Sequence, residues 1–305
     1  MQVYVQLGAK IYDNNTFSAY RRMAVFIARS LLNHKQMQDI RQFFQLNSIR
    51  QDIIAANPFI FEQVTRSIFY RQSIFAERVA LIKKHFVFLE AKFTQAALQH
   101  LYIGEGITLW RDNYRDETLS LKLQFNEGHN KEGLMGITLE LGEKMIYQII
   151  FWVSSDENDE MGLRIGAIQG SRGGLDTARD LTKHFYGLRP KNFIIQALRV
   201  VAGQIGIDRI YTVSNYGFYA NNHIRIDRKL KTSLDVFWEE IGGRKCDDPR
   251  FYEIPMTEPR KKLEEVKCSK RKLYRNRFAM LDTIEETIIK SLEPHQIPQA
   301  ATDIV

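Results

Sequence analysis

The sequence predicts an α+β protein, with a helical N-terminal region docked on a mainly antiparallel mixed sheet. Two observations carry this. Apolar residues recur at helical spacing from residue 16 to 102, then alternate with polar ones from Thr118. Further on, two helices separate the apolar strands 163–168 and 208–214, which requires a crossover and a parallel strand pair. The expected organisation is a helical region over 1–104, a sheet-bearing domain over 105–293 and a loose tail over 294–305.

In order, Thr16 can cap a helix that carries Tyr20, Met23, Ile27 and Leu31 at helical spacing. A second helix runs from His34 to Leu46, and Asn57-Pro58 opens a third by N-cap and first-turn proline logic. Phe75 to Phe93 is a fourth, with Val79, Ile82, Phe86 and Leu89 on one face, and Thr94 to Tyr102 a fifth. Thr118 to Phe125 alternates as a half-buried strand does. Leu134–Leu141 and Lys144–Val153 are strands joined by a hairpin at Gly142-Glu143. After strand 163–168 come helices over 176–186 and 189–206. Pro190 suits the first turn of the second helix, where its missing N–H is unpaired anyway. Phe218 to Leu230 reads as an irregular strand, Leu234–Ile241 as a short helix, and Phe251–Ile254 as a short strand. Ser269–Leu292 is a long helix with Leu273, Leu281, Ile284, Ile288 and Leu292 as its buried stripe.

The 305 residues suffice for a large core, and the net charge of +7 favours acidic partners. The two cysteines, Cys246 and Cys268, form neither a disulfide framework nor a zinc motif, and fit a reducing compartment. Residues 1–10 lack a basic stretch followed by an apolar run, so no secretory signal is expected. No stretch approaches the roughly 18 apolar residues of a membrane span. The expected location is cytoplasmic, with contact to the inner membrane surface as an option.

The candidate chemistry gathers at helix starts. Arg189 and Lys191 flank Pro190, where free N–H groups and the positive dipole end suit a phosphate. Gln169 and Arg172, in and beside the turn Gly170-Ser-Arg-Gly-Gly174, could complete the cradle. Neither a Walker loop nor a dinucleotide fingerprint occurs. His184 and Asp235 are the candidate proton acceptors. Lys270, Arg271, Tyr274 and Arg277 open the last helix, where the dipole disfavours cations, so an anionic partner would explain them; a solvated face would too. No nucleic-acid motif accompanies them. Arg21, Arg22 and Arg29 accompany Phe17, Phe26, Ile27 and Leu31, a basic amphipathic pattern that suits either anionic lipid or packing on the sheet. No His/Asp/Glu cluster has metal-ligand spacing.

Several of these segments together resemble the VirK/YbjX family of Gram-negative bacteria. They are Gly166–Gly170, Leu181-Thr-Lys183, Gly187-Leu-Arg-Pro-Lys191, Ile210–Ser214, Phe237-Trp-Glu-Glu240 with Gly242-Gly243, Ile254-Pro255 and Ser269–Arg277. The resemblance spans about Phe75 to Asp282; Asn215 to Lys229, with Tyr216 and His223, is more aromatic and irregular than the family pattern. It implies a role in envelope maintenance, virulence and resistance to antimicrobial peptides, with no reaction attached. The element order is also similar to the GNAT family of N-acyltransferases, in which N–H groups at a helix N-terminus hold the donor's pyrophosphate. Here the helix 176–186 intervenes before the expected glycine-rich loop.

These readings imply an acyltransferase-like protein with no permanently bound cofactor. It would take acyl-CoA or acyl carrier protein as co-substrate through Gln169, Arg172, Arg189 and Lys191, with His184 or Asp235 as base. The helix start 270–277 would meet an acidic carrier protein or anionic lipid. The alternative is a non-enzymatic protein that binds anionic lipid or an envelope protein at the inner membrane face.

Overall fold

Seven helices precede the first strand in the computed structural model, which describes residues 1–12, 16–125, 131–155, 159–221 and 232–298. They are α1 (Gln2–Ile11), α2 (Phe17–Leu32), α3 (His34–Gln45), α4 (Ser48–Ala56), α5 (Phe59–Thr65), α6 (Phe75–Lys92) and α7 (Gln95–Tyr102). Their starts follow capping chemistry. The side chains of Thr16, Asn47 and Thr94 accept from the backbone N–H three residues on, at 2.9–3.2 Å. Glu77 reaches back to the N–H of Ile74 at 3.0 Å.

Eight strands then form one sheet in the order β1-β2-β3-β4-β5-β6-β8-β7. They are β1 (Ile107–Tyr114), β2 (Glu117–Gln124), β3 (Met135–Leu141), β4 (Lys144–Ser155), β5 (Met161–Gly170), β6 (Ile210–Val213), β7 (Arg244–Lys245) and β8 (Phe251–Ile254). Every neighbouring pair is antiparallel except β5 and β6. Those two are joined by α8 (Leu175–His184) and α9 (Pro190–Gln204). Gly206, at φ +79, stops α9 in a conformation that side chains resist. Then come α10 (Leu234–Glu240) and α11 (Cys268–Leu292).

Strand alternation assigns the faces. Trp152, on one face of β4, lines a cavity with Ala80 and Leu81 of α6. The other face carries the cross-strand row Trp110, Leu121, Leu139, Tyr147 and Gly170, and Trp110 meets Phe193 of α9 edge to face. The sheet is therefore sandwiched between the N-terminal helices and the α9–α11 pair. One continuous core runs from Tyr4 to Leu292, with Phe151, Trp152, Phe185, Phe193 and Trp238 among its largest buried side chains. His85 of α6 fastens one layer to the sheet. Its Nδ1 accepts from the N–H of Val153 at 3.0 Å, so the ring proton sits on Nε2, 2.7 Å from the Tyr102 hydroxyl. Complete burial pushes the imidazole down to about 3, and it is neutral at physiological pH.

Four elements lie outside the sequence expectation. Gly8 interrupts the stripe of α1, the inward Arg50 interrupts that of α4, a bulge between Thr108 and Trp110 breaks the alternation of β1, and β7 has only two residues. The first part of the tail also differs. Residues 293–295 form a 3₁₀ turn, Gln296 bridges Phe93, and the N–H of Ile297 donates to Lys92 at 2.9 Å, so 294–297 are tied down, while 299–305 lie outside the described residues. Phe218 makes an isolated bridge to Tyr70; the rest of the expected strand beyond residue 221 lies outside the described residues. On α11, Ile284, Ile288 and Leu292 are buried, whereas Leu273 is exposed. Among the described residues, no helix is long and apolar enough to cross a membrane.

Candidate functional site

The parallel pair defines the first candidate. β5 and β6 pair only at Leu163–Ile165 against Ile210–Thr212. β6 ends at Val213, while β5 continues to Gly170 against β4 alone, so among the described residues its edge beyond Ile165 has no strand partner on the β6 side. In sheets with parallel strands, ligands bind at carboxyl ends where neighbouring strands diverge. A Cβ at Gly166 would fall 1.8 Å from the carbonyl oxygen of Glu132, so only glycine admits the chain that crosses there.

α9 returns to the carboxyl ends of these strands with its N-terminus foremost. Arg189 is its N-cap residue and Pro190 its first helical residue. The Arg189 guanidinium donates to Asn192 Oδ1 at 3.1 Å and pairs with the Glu240 carboxylate of α10. The Lys191 ammonium lies 3.5 Å from the ring centroid of Phe237, also of α10. Burial, then the charge of Arg189, pull its pKa down to about 8, and Glu240 opposes them. Lys191 is thus a cation at neutral pH that loses its proton readily. Burial raises the Tyr147 hydroxyl, and the nearby Arg189 charge draws it back. Two cations, a phenol and one carboxylate therefore share the end of the sheet beside the strand gap.

The remaining expected residues are placed elsewhere. Gln169 is the cross-strand partner of Gln148, on the face opposite Tyr147 and hence opposite α9. Arg172 is exposed in the turn before α8. The four-residue cradle is therefore not assembled; only Arg189 and Lys191 come together. His184 is bound through Nε2 to Asp112 Oδ2 at 3.0 Å and lies edge-on to Tyr114. Both partners belong to β1, the sheet edge four strands from β5, roughly 19 Å away. Asp235 accepts the Asn215 N–H at 2.6 Å, while the Asn215 side chain binds Ser233 Oγ and the N–H of Leu234, each at 2.8 Å. Its carboxylate thus fixes the connection between β6 and α10. Tyr216 lies beneath Arg71, 4.3 Å from ring centroid to guanidinium, and His223 falls outside the described residues.

The basic start of α11 is largely turned inward. Arg271 donates to the carbonyls of Val266 and Glu264 at 3.1 and 3.4 Å. Arg277 donates twice to the carbonyl of Tyr186, at 3.0 and 2.8 Å, and packs over Tyr274. Tyr274 lines a cavity of about 300 Å³ between α9 and α11. Lys270 alone of the four is fully exposed.

Sequence reasoning missed Glu240 and Phe237 as partners of Arg189 and Lys191. It also missed a cavity of about 530 Å³ between α6 and the sheet, where Tyr70, Trp152, Arg164 and Arg250 meet. Tyr70 stacks on Trp152, and Arg250, held by Asp248 at 2.7 Å, lies 4.8 Å over Tyr70. These residues come from four distant segments, so no spacing could announce them. Cys246, also at this cavity, is a protonated thiol, pushed up to about 11 by burial and nearby carboxylates.

The fold and the site define a class: a mixed-sheet α+β protein with a cationic crossover-helix terminus beside a gap between parallel strands. The chain belongs to the family described as "Protein of unknown function (DUF535)", which matches residues 15–290. It is similar to YbjX of Escherichia coli, 28% identical over 173 residues, or 55% of this chain and 52% of the relative. That match spans about half of YbjX. A Haemophilus influenzae protein described as uncharacterized is 22% identical over 284 residues, covering 92% of this chain and 93% of its own. Membrane protein LapB of Mannheimia haemolytica is 26% identical over 209 residues, 67% and 84% of the two chains. The YbjX resemblance read from the sequence thus holds.

Proposed function

We infer that the chain transfers an acyl group from a phosphate-bearing thioester donor, such as acyl-CoA or acyl carrier protein, in the manner of GNAT-like proteins. One observation carries this reading. The parallel strands β5 and β6 part after three residue pairs, and the crossover helix begins beside the gap with Arg189 and Lys191. The donor's phosphates would take the N–H of Lys191 and these two side chains, since Pro190 has no N–H and those of Asn192 and Phe193 donate to the Arg189 carbonyl at 2.9 Å. The thioester arm would lie along the β5 edge beyond Ile165, using backbone groups as an added strand does. A phosphate must displace Glu240 from Arg189, so Glu240 competes with the donor. His184, four strands away, and Asp235, engaged by Asn215, are positioning residues in this reading.

The test is thermal stabilisation of the purified chain by CoA, acyl-CoAs and acyl carrier proteins. A ligand that binds only the folded state stabilises it by about 2.7 kcal/mol at a hundredfold excess over Kd. Arg189→Ala with Lys191→Ala should abolish the shift, and Glu240→Gln should enlarge it. Absence of a shift with every donor, or an unchanged shift in a folded double variant, would overturn the reading.

A further inference from the structure

The solvent side of α2 is largely apolar. At about 100° per residue, the buried Ala19, Phe26 and Ser30 define the inner face. Phe17, Ala24, Ala28, Leu31 and Leu32 are turned outward together with one cation, Arg21, and Phe17 is 86% and Leu32 84% exposed. A surface helix ordinarily places polar residues there. Contiguous exposed apolar surface marks an interaction site.

The charge beside this face has one sign. Neither α1 nor α2 contains an aspartate or glutamate. Arg21 stands within the outward face and Arg22 and Arg29 on its border, and all three line a bay of about 560 Å³ with Arg66 and Lys131. Among the described residues, none that lines the bay is acidic. Glu62, 2.5 Å from Arg66, and Glu132 are buried. Arg22 and Arg29 donate to the carbonyls of Ser18 and Thr65 at 3.3 Å, which orients them without cancelling their charge.

We propose that this face of α2, with the basic bay on its flank, docks on the surface of a bilayer that contains anionic phospholipid. α2 then lies in the plane of the interface, its apolar side chains at the headgroup–acyl boundary and its arginines on lipid phosphates. A symmetric contact between two copies would set Arg21, Arg22, Arg29 and Lys131 against the same four cations, which disfavours that occupant. The proposal goes beyond acyl transfer and stands without it.

The experiment is flotation of the full chain with phosphatidylcholine vesicles, with and without phosphatidylglycerol, at low and high salt. Binding should require phosphatidylglycerol and be lost at high salt. Arg21→Glu with Arg22→Glu should weaken it roughly a hundredfold or more. Phe17→Ser with Leu32→Ser should abolish it, while circular dichroism and urea unfolding stay as in the parent, since both side chains are exposed. No flotation with anionic vesicles, or flotation retained by the folded serine variant, would overturn the proposal. So would a sedimenting dimer that the serine variant dissociates, which would assign the face to a second copy.

Discussion

α2 and α11 are both rich in cations and hold them to different degrees. On α11, Arg271 and Arg277 are folded back onto backbone carbonyls, where they close the ends of other segments. On α2, the arginines line an open bay with no carboxylate among its described lining residues, beside a largely apolar solvent face. The denser cluster in sequence is thus the more structural one. What separates the two is how firmly carbonyls hold the cations: Arg22 and Arg29 make one bond each at 3.3 Å, whereas Arg277 makes two to a single carbonyl left unsatisfied by its helix. Such groups remain at helix ends and turns. One lies beneath Arg277, where α8 has stopped and Gly187 turns at φ +79.

The contrast holds only while the N-terminal helices stay docked, and acid should break it with the largest effect. His85 titrates near 3 when folded and near 6.5 when unfolded, so only the unfolded chain takes up its proton on acidification. Its contribution is intact above about pH 6.5 and falls by about 1.4 kcal/mol per pH unit below that, or about 2 kcal/mol at pH 5. Urea unfolding at pH 7 and pH 5 measures this. His85→Gln should flatten the acid limb; an unchanged limb would place the titrating group elsewhere.

A smaller effect sharpens the contrast from the α11 side. Arg277→Ala removes two charge-assisted bonds to the Tyr186 carbonyl and should cost about 1.5–2 kcal/mol. Urea midpoints read this, and a neutral result would make Arg277 as dispensable to the fold as an α2 arginine. The smallest effect belongs to α2. Arg21→Ala should change stability by less than about 0.5 kcal/mol, as exposed substitutions do. A larger loss in the same assay would mean that the bay is structural too.

Much of the fold is legible in the sequence wherever a segment is long enough to repeat its period. α6 and α9, at 18 and 15 residues, show their buried stripes, and β2 shows its alternation. α4 buries Arg50 beside Ile49 and Ile53, which masks its stripe, and the bulge shifts the pattern of β1 by one residue. The site is legible at one point. Gly-Leu-Arg-Pro-Lys locates the start of α9, because proline and capping are local effects. Glu240 stands 51 residues from Arg189, and the face chosen by Gln169 depends on register against Gln148. Neither the pairing nor the register leaves a local trace, so the expected cradle included two residues that the sheet sends elsewhere.

The seam between Gln296 and Phe93 bears on how the chain is made. Thr94 and Ile297 exchange backbone bonds across it with His295 and Lys92, and the Gln296 amide clasps Gln204 at 2.9 and 3.0 Å. One short C-terminal stretch thus ties α6 and α7 to the end of α9. Contacts of such sequence separation form slowly, because the loop-closure entropy must be met first. On the ribosome, the junction between α6 and α7 must wait for about 200 further residues before it gains its last partners. At translation rates of about 5–20 residues per second, that leaves it open for roughly 10–40 seconds, a window in which a chaperone can reach it.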